Sequence, residues 1–514
     1  MNLNEKIFYI ILILLFSLLL LYLFVFIFIS NNKIDYDIII VGSGLAGLTS
    51  TYELYKLLPS NSKILLIEKE NSFGGNSIKA TSGINLLNTL IQISNNISDK
   101  YDIFYNDTYK SSKNLSDPNL IKTLIIQSHF LEKDFFNKIN LNLSELSLLG
   151  GHSIPRTHRP KNITVGYYLT SSIYNLLYKL NNKKLTIKFN ASLVELTYNK
   201  KKNKINGIKY FDKKLDQIVY VKTKAVILCT GGFGYDFNNS NNDSLIYEFA
   251  KNLTNFPTTS GKGSIGSGMK IARKIGAKLI DMNYIQIHPT SFVDLKDEFN
   301  KHKYLAPELL RGKGGILINN KGERFCNELG YRDYVTQEII KNCDKKIDND
   351  NKIEQYECFL LLNQKGFNDY GKDINYYLSK NLIKKYSNFK EFSNKFNINY
   401  TNLNKTISEY NDCYNNNKTD NFNKKYFYSN FNLNKTIYVS IITPSIHYTM
   451  GGIKINNRTE VINDDNKVIK GLYAVGEVTG GVHGANRLGG NSLLECVVFG
   501  RISAINSYNY IKNK

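Results

Sequence analysis

The chain has 514 residues, more than one hydrophobic core needs, so two or more domains are expected, and its 42% hydrophobic residues suffice to fill them. The formal net charge of +22 raises the question of nucleic-acid binding. We discount that class because the lysines are interleaved with asparagine and isoleucine, as in Lys200–Asn206 and Asn415–Lys425, and no recognition motif accompanies them.

The N-terminal segment Ile7–Ile29 is an almost unbroken apolar run of 23 residues. At about 1.5 Å per residue, a helix of that length spans the roughly 30 Å hydrocarbon core of a bilayer. The run is longer than the core of a signal peptide, and no Ala-x-Ala cleavage site follows it. We therefore predict an uncleaved single-pass membrane anchor in residues 1–33, with a cleaved signal as the alternative. The endoplasmic reticulum is favoured over the mitochondrion.

A dinucleotide-binding pattern follows the apolar segment. A short β-branched strand, Asp35–Val41, runs into Gly-Ser-Gly-Leu-Ala-Gly at residues 42–47. A helix over Leu48–Leu58 and a second strand over Ile64–Ile67 come next, and the second strand ends in Glu68. A lone GxGxxG is weak evidence, but here the strand, turn, helix and acidic residue all stand in order. The glycines allow a pyrophosphate to approach the helix N-terminus, and the glutamate can bond ribose hydroxyls.

Further glycine-rich segments alternate with buried strands along the chain. Ala225–Gly232 and Leu472–Glu477 each read as a buried strand that enters a turn. Gly480–Leu494 is too rich in glycine for a strand or a helix interior, yet it contains one arginine, one histidine and two asparagines. That composition suits a loop whose backbone approaches a ligand while its arginine grips an anion.

Four motifs in the middle of the chain carry ionisable side chains. They read Gln-Ile-His-Pro-Thr at 286–290, Pro-Glu-Leu-Leu-Arg-Gly at 307–312, Arg-Phe-Cys-Asn-Glu with Tyr-Arg-Asp at 324–333, and His-Tyr-Thr-Met-Gly-Gly at 447–452. Taken singly, such an arginine is usually a surface pair and such a histidine a core group. The six cysteines form no CxxC or CxxCH, so no zinc, iron–sulfur or c-type haem site is expected, and no metal. Cys229 and Cys496 are predicted to lie in the core.

The whole set, in this order, resembles the fumarate reductase and succinate dehydrogenase flavoprotein family, and within it the soluble, eukaryotic-type FAD-dependent fumarate reductases. The resemblance covers nearly everything from residue 34 to 508. It implies an α/β fold: a Rossmann-like FAD-binding domain in two parts, 34–287 and 448–514, with an inserted α+β capping or clamp domain at 288–446 and the N-terminal transmembrane helix before them. Within the insert, residues 340–440 are expected to form helices with long polar loops.

The cofactor implied is FAD. One branch of the family links it to a histidine after the double glycine, but Ser77 stands at that place and residues 74–90 contain no histidine, so non-covalent binding is expected. Ser267 replaces an aspartate that the family usually has beside the flavin. The motif and the resemblance together assign cofactor contacts to Gly42, Ser43, Gly44, Ala46, Gly47, Glu68, Lys69, Gly75, Asn76, Ser77, Ser82, Gly83, Val194, Thr230, Gly231, Gly232, Glu477, Asn491, Ser492 and Leu493.

The resemblance also assigns the chemistry. Hydride from flavin N5 would add to one carbon of fumarate and a proton from Arg332 to the other, giving succinate essentially irreversibly. Glu308 and Arg311 would return the proton to Arg332. Donors aimed at the negative charge that builds on one carboxylate would lower the barrier, and the implied substrate contacts are Gln286, His288, His447 and Arg487. Pro307 stands where many relatives have a substrate-binding threonine, so somewhat weaker binding is expected.

Two alternatives stay open. The scaffold also serves flavin enzymes for other unsaturated or dicarboxylic acids, aspartate oxidases and steroid dehydrogenases. A catalytically silent membrane flavoprotein is the second alternative. Because the chain contains no haem motif, the expected electron donor is external, either reduced flavin or a partner flavoprotein. The segment Gly150–Arg159 is expected to position the flavin ring or to line the rim of the site.

Overall fold

The computed structural model describes residues 16–17, 34–240, 242–350 and 352–513. The anchor predicted at Ile7–Ile29 therefore lies outside the described residues, except for Phe16 and Ser17. Within the described ranges, no helix is both long and apolar enough to cross a bilayer.

The described chain alternates strands and helices from Tyr36 to its C-terminus. Its strands are β1 (Tyr36–Val41), β2 (Ile64–Ile67), β3 (Ile84–Asn85), β4 (Glu145–Ser147), β5 (Thr157–Arg159), β6 (Leu185–Lys188), β7 (Ala191–Asn199), β8 (Lys204–Asp212), β9 (Gln217–Leu228), β10 (Leu279–Ile280), β11 (Ile285–Phe292), β12 (Tyr304–Leu305), β13 (Ile316–Ile318), β14 (Asp344–Asp348), β15 (Ile353–Asn363), β16 (Lys384–Tyr386), β17 (Ile437–Thr449), β18 (Gly452–Lys454), β19 (Glu460–Ile462), β20 (Val468–Ala474) and β21 (Thr479–Gly480). Its α-helices are α1 (Leu45–Leu57), α2 (Leu90–Ser94), α3 (Tyr101–Ser111), α4 (Pro118–Leu131), α5 (Val165–Lys179), α6 (Leu245–Phe249), α7 (Ser267–Arg273), α8 (Glu308–Gly312), α9 (Arg332–Asn342), α10 (Gln364–Tyr370), α11 (Ile374–Ser379), α12 (Phe389–Phe396), α13 (Tyr400–Asn415) and α14 (Asn491–Lys512).

A parallel sheet forms the centre of the dinucleotide-binding domain. β20, β9, β1, β2 and β6 pair side by side and all run parallel. Both predicted strands of the motif are present, since β1 and β2 pair from Ile38 with Ile64 to Val41 with Ile67. The first helix begins at Leu45, three residues earlier than expected, because the last part of the glycine motif already forms its first turn. The side chains of β1 and β2 are buried, which matches the continuous apolar runs typical of parallel strands.

A second sheet builds the inserted domain, with the order β12, β11, β17, β15, β13. Strand β15, which pairs with both β17 and β13 inside this sheet, runs through the segment 340–440, so the expectation of helices with long polar loops was wrong for this part. The reason lies in the sequence Cys358–Leu362, which is buried between β17 and β13 and supplies one face of a separate hydrophobic core. The helices α10 to α13 pack around that sheet.

The two domains are joined by a two-stranded ribbon. β11 and β17 pair antiparallel from Ile285 opposite Thr449 to Phe292 opposite Ile442. The predicted domain boundaries, at 287/288 and 446/448, both fall inside these strands. The ribbon therefore carries residues of the predicted substrate site across the junction between the domains.

Candidate active site

The turn between β1 and α1 is shaped by two glycines. Gly42 has a φ of +104°, and a Cβ atom there would lie 2.3 Å from the carbonyl oxygen of Cys229. A Cβ atom on Gly47 would lie 1.8 Å from the carbonyl oxygen of Gly42. Ser43 fixes the acidic residue, because its amide and its hydroxyl donate to Oε2 of Glu68 at 2.7 and 2.8 Å. The turn thus places backbone close to a cavity and holds the carboxylate beside it.

That cavity has a volume of about 590 Å³, within the usual range for a small-molecule site. The predicted cofactor residues that line it are Gly42, Gly44, Ala46, Glu68, Lys69, Gly75, Asn76, Ser77, Thr230, Gly231 and Glu477. Ser267, which replaces the usual aspartate, also lines it. The buried hydroxyl of Thr230 has no hydrogen-bond partner in the described chain, so a polar atom is left for a ligand.

A second cavity of about 460 Å³ shares Asn76, Ser77 and Glu477 with the first. It also contains Ser82, Gly83, Ser492 and Leu493 of the predicted cofactor set. The two cavities therefore form one elongated tract, polar and glycine-lined at one end and reaching the N-terminus of α14 at the other. An extended dinucleotide such as FAD fits a tract of this shape and composition.

Three predicted cofactor residues do not line the tract themselves but hold neighbouring residues in place. Ser43 acts through Glu68, as described above. Gly232 leaves room for the side chains of Thr449 and Glu477, since a Cβ there would come within 2.4 Å of the glutamate. Asn491 accepts a hydrogen bond of 2.7 Å from Asn85, whose amide also donates to the Gly489 carbonyl at 2.7 Å.

Val194 is placed differently from its prediction. Its side chain is 39% exposed and does not line either cavity, whereas Ala191, Ser192 and Leu193 of the same strand line the larger one.

The smaller cavity brings together three predicted substrate residues, His288, His447 and Arg487, with the predicted acid Arg332. The fourth predicted substrate residue, Gln286, does not line it but binds both arginines. Arg332 begins helix α9 and donates from Nη1 to Oε1 of Gln286 at 2.8 Å. Arg487 donates from Nη2 to the same oxygen at 3.2 Å. The amide nitrogen of Gln286 donates in turn to the Arg487 carbonyl at 2.8 Å. One glutamine side chain therefore sets the spacing of two guanidinium groups that come from different domains.

Arg332 also binds Glu308, and the pair is almost completely buried. Its Nε and Nη2 donate to Oε2 of Glu308 at 2.9 and 2.5 Å. Burial alone would raise the pKa of this carboxyl, but the guanidinium groups of Arg332 and Arg311 outweigh it and lower the pKa to about 2. Glu308 is therefore an anion at neutral pH and in direct contact with the predicted acid.

Arg311 is buried nearby but is not joined to Glu308 by a hydrogen bond among the described residues. Its Nη1 donates to the carbonyl oxygen of Glu328 at 2.5 Å, while its Nε and Nη2 have no partner in the described chain. Of the predicted proton path, Arg332 and Glu308 are therefore in direct contact, while two N–H groups of Arg311 have no hydrogen-bond partner among the described residues.

The two substrate histidines face each other with ring centroids 5.0 Å apart. Burial and then the charge of Arg332 hold the pKa of each ring well below its ordinary value, so both are neutral at physiological pH. Nδ1 of His288 lies 2.7 Å from the carbonyl oxygen of Thr290. Nδ1 of His447 lies 2.7 Å from the hydroxyl of Thr259. The second nitrogen of each ring is left for the cavity.

Thr259 and Tyr448 were given no role in the sequence prediction, while Glu477 was predicted as a cofactor residue but not its shifted pKa. Thr259 lines the cavity and holds His447, although 188 positions separate them. Tyr448 stacks under the Arg487 guanidinium at 4.3 Å and its hydroxyl donates to Glu495. Burial raises the pKa of Glu477 to about 7 despite the hydrogen bond that it accepts from the Thr449 amide.

The segment Gly150–Arg159 packs behind the site. Arg156 is completely buried and ion-pairs with Asp99 and Asp107 at 2.9 and 2.5 Å. It also donates to Nδ1 of His152 at 3.2 Å, and Nε2 of that ring then donates to the Gly489 carbonyl at 2.9 Å. The segment thus orients the loop that bears Arg487.

Comparison with known proteins agrees with this geometry. The FAD binding domain family matches residues 37–493. Fumarate reductase of Schizosaccharomyces pombe is 38% identical, over 90% of this chain and 88% of its own length. Fumarate reductase 1 of Saccharomyces cerevisiae is also 38% identical, over 91% of this chain and 97% of its own. The solved open conformation of a flavocytochrome c3 fumarate reductase superposes with a TM-score of 0.71 at 26% identity, covering 94% of this chain and 80% of that one.

These matches extend across both domains and include the loop of Arg487 and the segment of Arg332. The cofactor of the chain is FAD. The chain belongs to the FAD-dependent fumarate reductase family of flavoproteins.

Proposed function

We propose that this protein reduces fumarate to succinate. The observation that carries the proposal is the convergence of Arg332, Arg487, His288 and His447 on one buried cavity that is continuous with the flavin tract. Two guanidinium groups and two imidazoles suit a small dicarboxylate, because charge-assisted hydrogen bonds can reach both of its ends.

The site residues would first fix the substrate. Arg487 is held between the Tyr448 ring and Gln286, so its charge is aimed at the cavity without reorganisation. Burial and the neighbouring Arg332 lower the pKa of Arg487 to about 10, but the group stays charged at neutral pH. Positive charge preorganised in a buried cavity stabilises the negative charge that develops on a substrate carboxylate.

Arg332 is the proposed proton donor. Bound FAD, when reduced, supplies the hydride to one alkene carbon. Nη1 or Nη2 of Arg332 would give a proton to the other carbon, which leaves a neutral guanidine. The Glu308 carboxylate, which contacts Nε and Nη2, would take a proton that enters from solvent through Arg311 and pass it to Arg332, so that both groups regain their starting charge. Arg311 is the proposed next donor, because its charge acts on Glu308 and two of its N–H groups have no partner in the part of the chain that the structure describes.

Three further features belong to the proposal: how FAD is held, where the electrons come from, and how the protein is anchored. FAD is bound without a covalent link, since Ser77 stands where a linking histidine would be, and it lines both parts of the tract. The electron donor is external, either reduced flavin or a partner flavoprotein. Residues 7–29 anchor the protein in a membrane, because their apolar length matches a bilayer core.

The decisive measurement is oxidation of reduced methyl viologen or reduced FMN by the purified FAD-loaded protein when fumarate is added. We expect fast turnover in this direction and negligible oxidation of succinate by an artificial acceptor. Replacing Arg332 with alanine should lower kcat by roughly 10²–10⁴-fold, the usual contribution of a general acid, while the flavin absorbance stays.

Arg487→Met provides the matching test of the substrate, since it removes the anion contact without touching the proposed acid. Fumarate turnover should be abolished. Persistence of fumarate reduction in Arg487→Met would reject the dicarboxylate assignment, and an unchanged rate in Arg332→Ala would reject the acid role. A flavin-loaded protein that is inert to fumarate would favour another unsaturated acid or a silent flavoprotein.

A further inference from the structure

Thr259 determines which nitrogen of His447 carries the proton. Its Oγ1 lies 2.7 Å from Nδ1 of His447 and 3.3 Å from the carbonyl oxygen of Ile446. The second distance is long for a hydroxyl donor, and that carbonyl already accepts the Thr259 amide at 2.8 Å. The hydroxyl therefore donates to Nδ1, so the ring proton is on Nε2. His447 presents an N–H donor to the cavity.

His288 has the opposite arrangement. Its Nδ1 lies 2.7 Å from the carbonyl oxygen of Thr290, and a carbonyl can only accept. The amide and the hydroxyl of Thr290 also approach Nδ1, but at the longer distances of 3.2 and 3.4 Å. Nδ1 therefore carries the proton, and Nε2 of His288 presents a lone pair to the cavity.

The charges around His288 are almost all positive. Arg332 and Arg311 are charged and act on it, the neutral His447 ring lies beside it, and Arg487 acts on His447. The Glu308 carboxylate is already bound to Arg332. The two carboxylates that line the cavity are also engaged: Glu477 accepts from the Thr449 amide and Glu495 from the Tyr448 hydroxyl. Because the ring is also buried, it stays neutral as long as no anion enters the cavity. The lone pair on Nε2 of His288 cannot hydrogen-bond a fully ionised carboxylate, because neither group carries a proton. The contact between Nε2 and a bound carboxylate therefore needs one additional proton.

We propose that Thr259 and the Thr290 carbonyl hold the two histidines in opposite tautomers, so that the dicarboxylate binds together with one proton held between Nε2 of His288 and a carboxylate oxygen. The inference rests on the proposed function and adds the protonation state of the bound substrate. The proton comes from solvent, and no other bond is made or broken. Thr259 is a positioning residue, since it acts through His447.

The test uses malonate, a dicarboxylate without a reducible double bond, as a competitive inhibitor of fumarate reduction by the FAD-loaded protein. Its inhibition constant is measured between about pH 8 and about pH 9, where malonate is a dianion, Glu477 with its pKa of about 7 is ionised and Arg487 with its pKa of about 10 is still charged. Uptake of one proton makes the inhibition constant rise roughly tenfold for each pH unit. In His288→Gln, whose amide supplies a donor and does not titrate, the constant should no longer depend on pH.

Thr259→Val keeps the shape of the side chain and removes the hydroxyl. The inhibition constant should rise roughly tenfold, because nothing then fixes the His447 N–H toward the cavity, while its pH slope remains. Thr259→Ser should restore the wild-type value. A purely structural role would not be rescued by serine in this way.

A wild-type profile that is flat with pH, in an enzyme that reduces fumarate, overturns the proposal and leaves the proposed function intact. A wild-type inhibition constant in Thr259→Val overturns the role of Thr259. A protein that does not reduce fumarate at all removes the dicarboxylate assignment, and the proposal falls with it.

Discussion

At the scale of single residues, two buried glutamates have similar electrostatics and different positions. Glu308 binds Arg332 beside the cavity, while Glu328 binds Arg324 and Lys424 at 2.8 and 2.7 Å inside the clamp domain. The pKa of each carboxyl is lowered to about 2, since the neighbouring cations outweigh the effect of burial. Both therefore stay ionised throughout the physiological range, and only Glu308 contacts a proposed catalytic group.

Replacing each glutamate with glutamine separates stability from catalysis. Both changes leave a buried cation without its counter-charge, so each should cost about 3–5 kcal/mol of unfolding free energy. Glu308→Gln should also lower kcat by at least about 10²-fold, because Arg332 loses the carboxylate that relays a proton back to it. Thermal unfolding and fumarate turnover are measured on the same preparations. Equal loss of kcat in Glu328→Gln would show that the effect at Glu308 is only structural.

Sequence located the site residues that stand inside a local motif. It missed those whose role depends on a partner far away along the chain. His288, Arg332 and Arg487 stand inside local motifs and were found. Thr259 was missed, since its role depends on a contact with a strand 188 positions away. Val194 does not line the tract, because the pairing of β7 with β8 is irregular between Leu193 and Glu195, and a local irregularity of this kind has no signal in the sequence.

At the scale of elements, the β1–α1 turn contains two glycines with different structural demands. A Cβ atom at Gly47 would lie 1.8 Å from the Gly42 carbonyl, but at Gly44 its nearest contact would be the Ser77 hydroxyl at 3.6 Å. Gly44 also has an ordinary φ of −68°. Gly47 is therefore needed by the protein fold itself, and Gly44 only by a ligand in the tract.

We expect Gly44→Ala to fold with a nearly unchanged Tm in the FAD-free state but to retain less FAD after gel filtration. Gly47→Ala should lower the Tm of the FAD-free protein as well, because helix and turn must move apart. The comparison is made on protein stripped of flavin and then reloaded. Full FAD retention by Gly44→Ala would contradict the placement of the cofactor against this turn.

Elements were predictable where their sequence pattern was local and strong. The β-branched runs of β1 and β2 and the glycine turn between β1 and α1 gave the correct strands, with only the start of α1 shifted by three residues. Strand β15 was not recognised, because its apolar run stands in an Asn- and Lys-rich region and becomes a strand through pairing with β17 and β13. The amino-acid composition of residues 340–440 predicted polar loops but gave no indication of the buried strand among them.

At the scale of the whole molecule, the order of motifs was enough to predict a flavin domain interrupted by an insert. The first strand of that domain is secured immediately: the Asp35 amide donates to the Lys222 carbonyl at 3.2 Å, and its carboxylate accepts the Lys222 amide at 2.9 Å. These contacts fix the start of β1 against its neighbour β9.

A chain shortened to begin at Asn31 should therefore fold, bind FAD and purify without detergent. Its fumarate turnover should equal that of the full-length protein, because no site residue precedes Gly42. Flavin content and kcat of the two forms are compared directly. Aggregation or loss of flavin on removal of residues 1–30 would mean that the apolar segment belongs to a core rather than to a membrane.

The ribbon of β11 and β17 has an evolutionary consequence. Because the chain leaves the flavin domain on one strand and returns on its hydrogen-bonded neighbour, the two ends of the clamp lie side by side. A module whose ends meet in this way can be grafted into a parent fold, or exchanged for another, without rerouting the parent chain. New acids could then be accommodated by replacing the lid, while the hydride-transferring half of the enzyme is inherited unchanged.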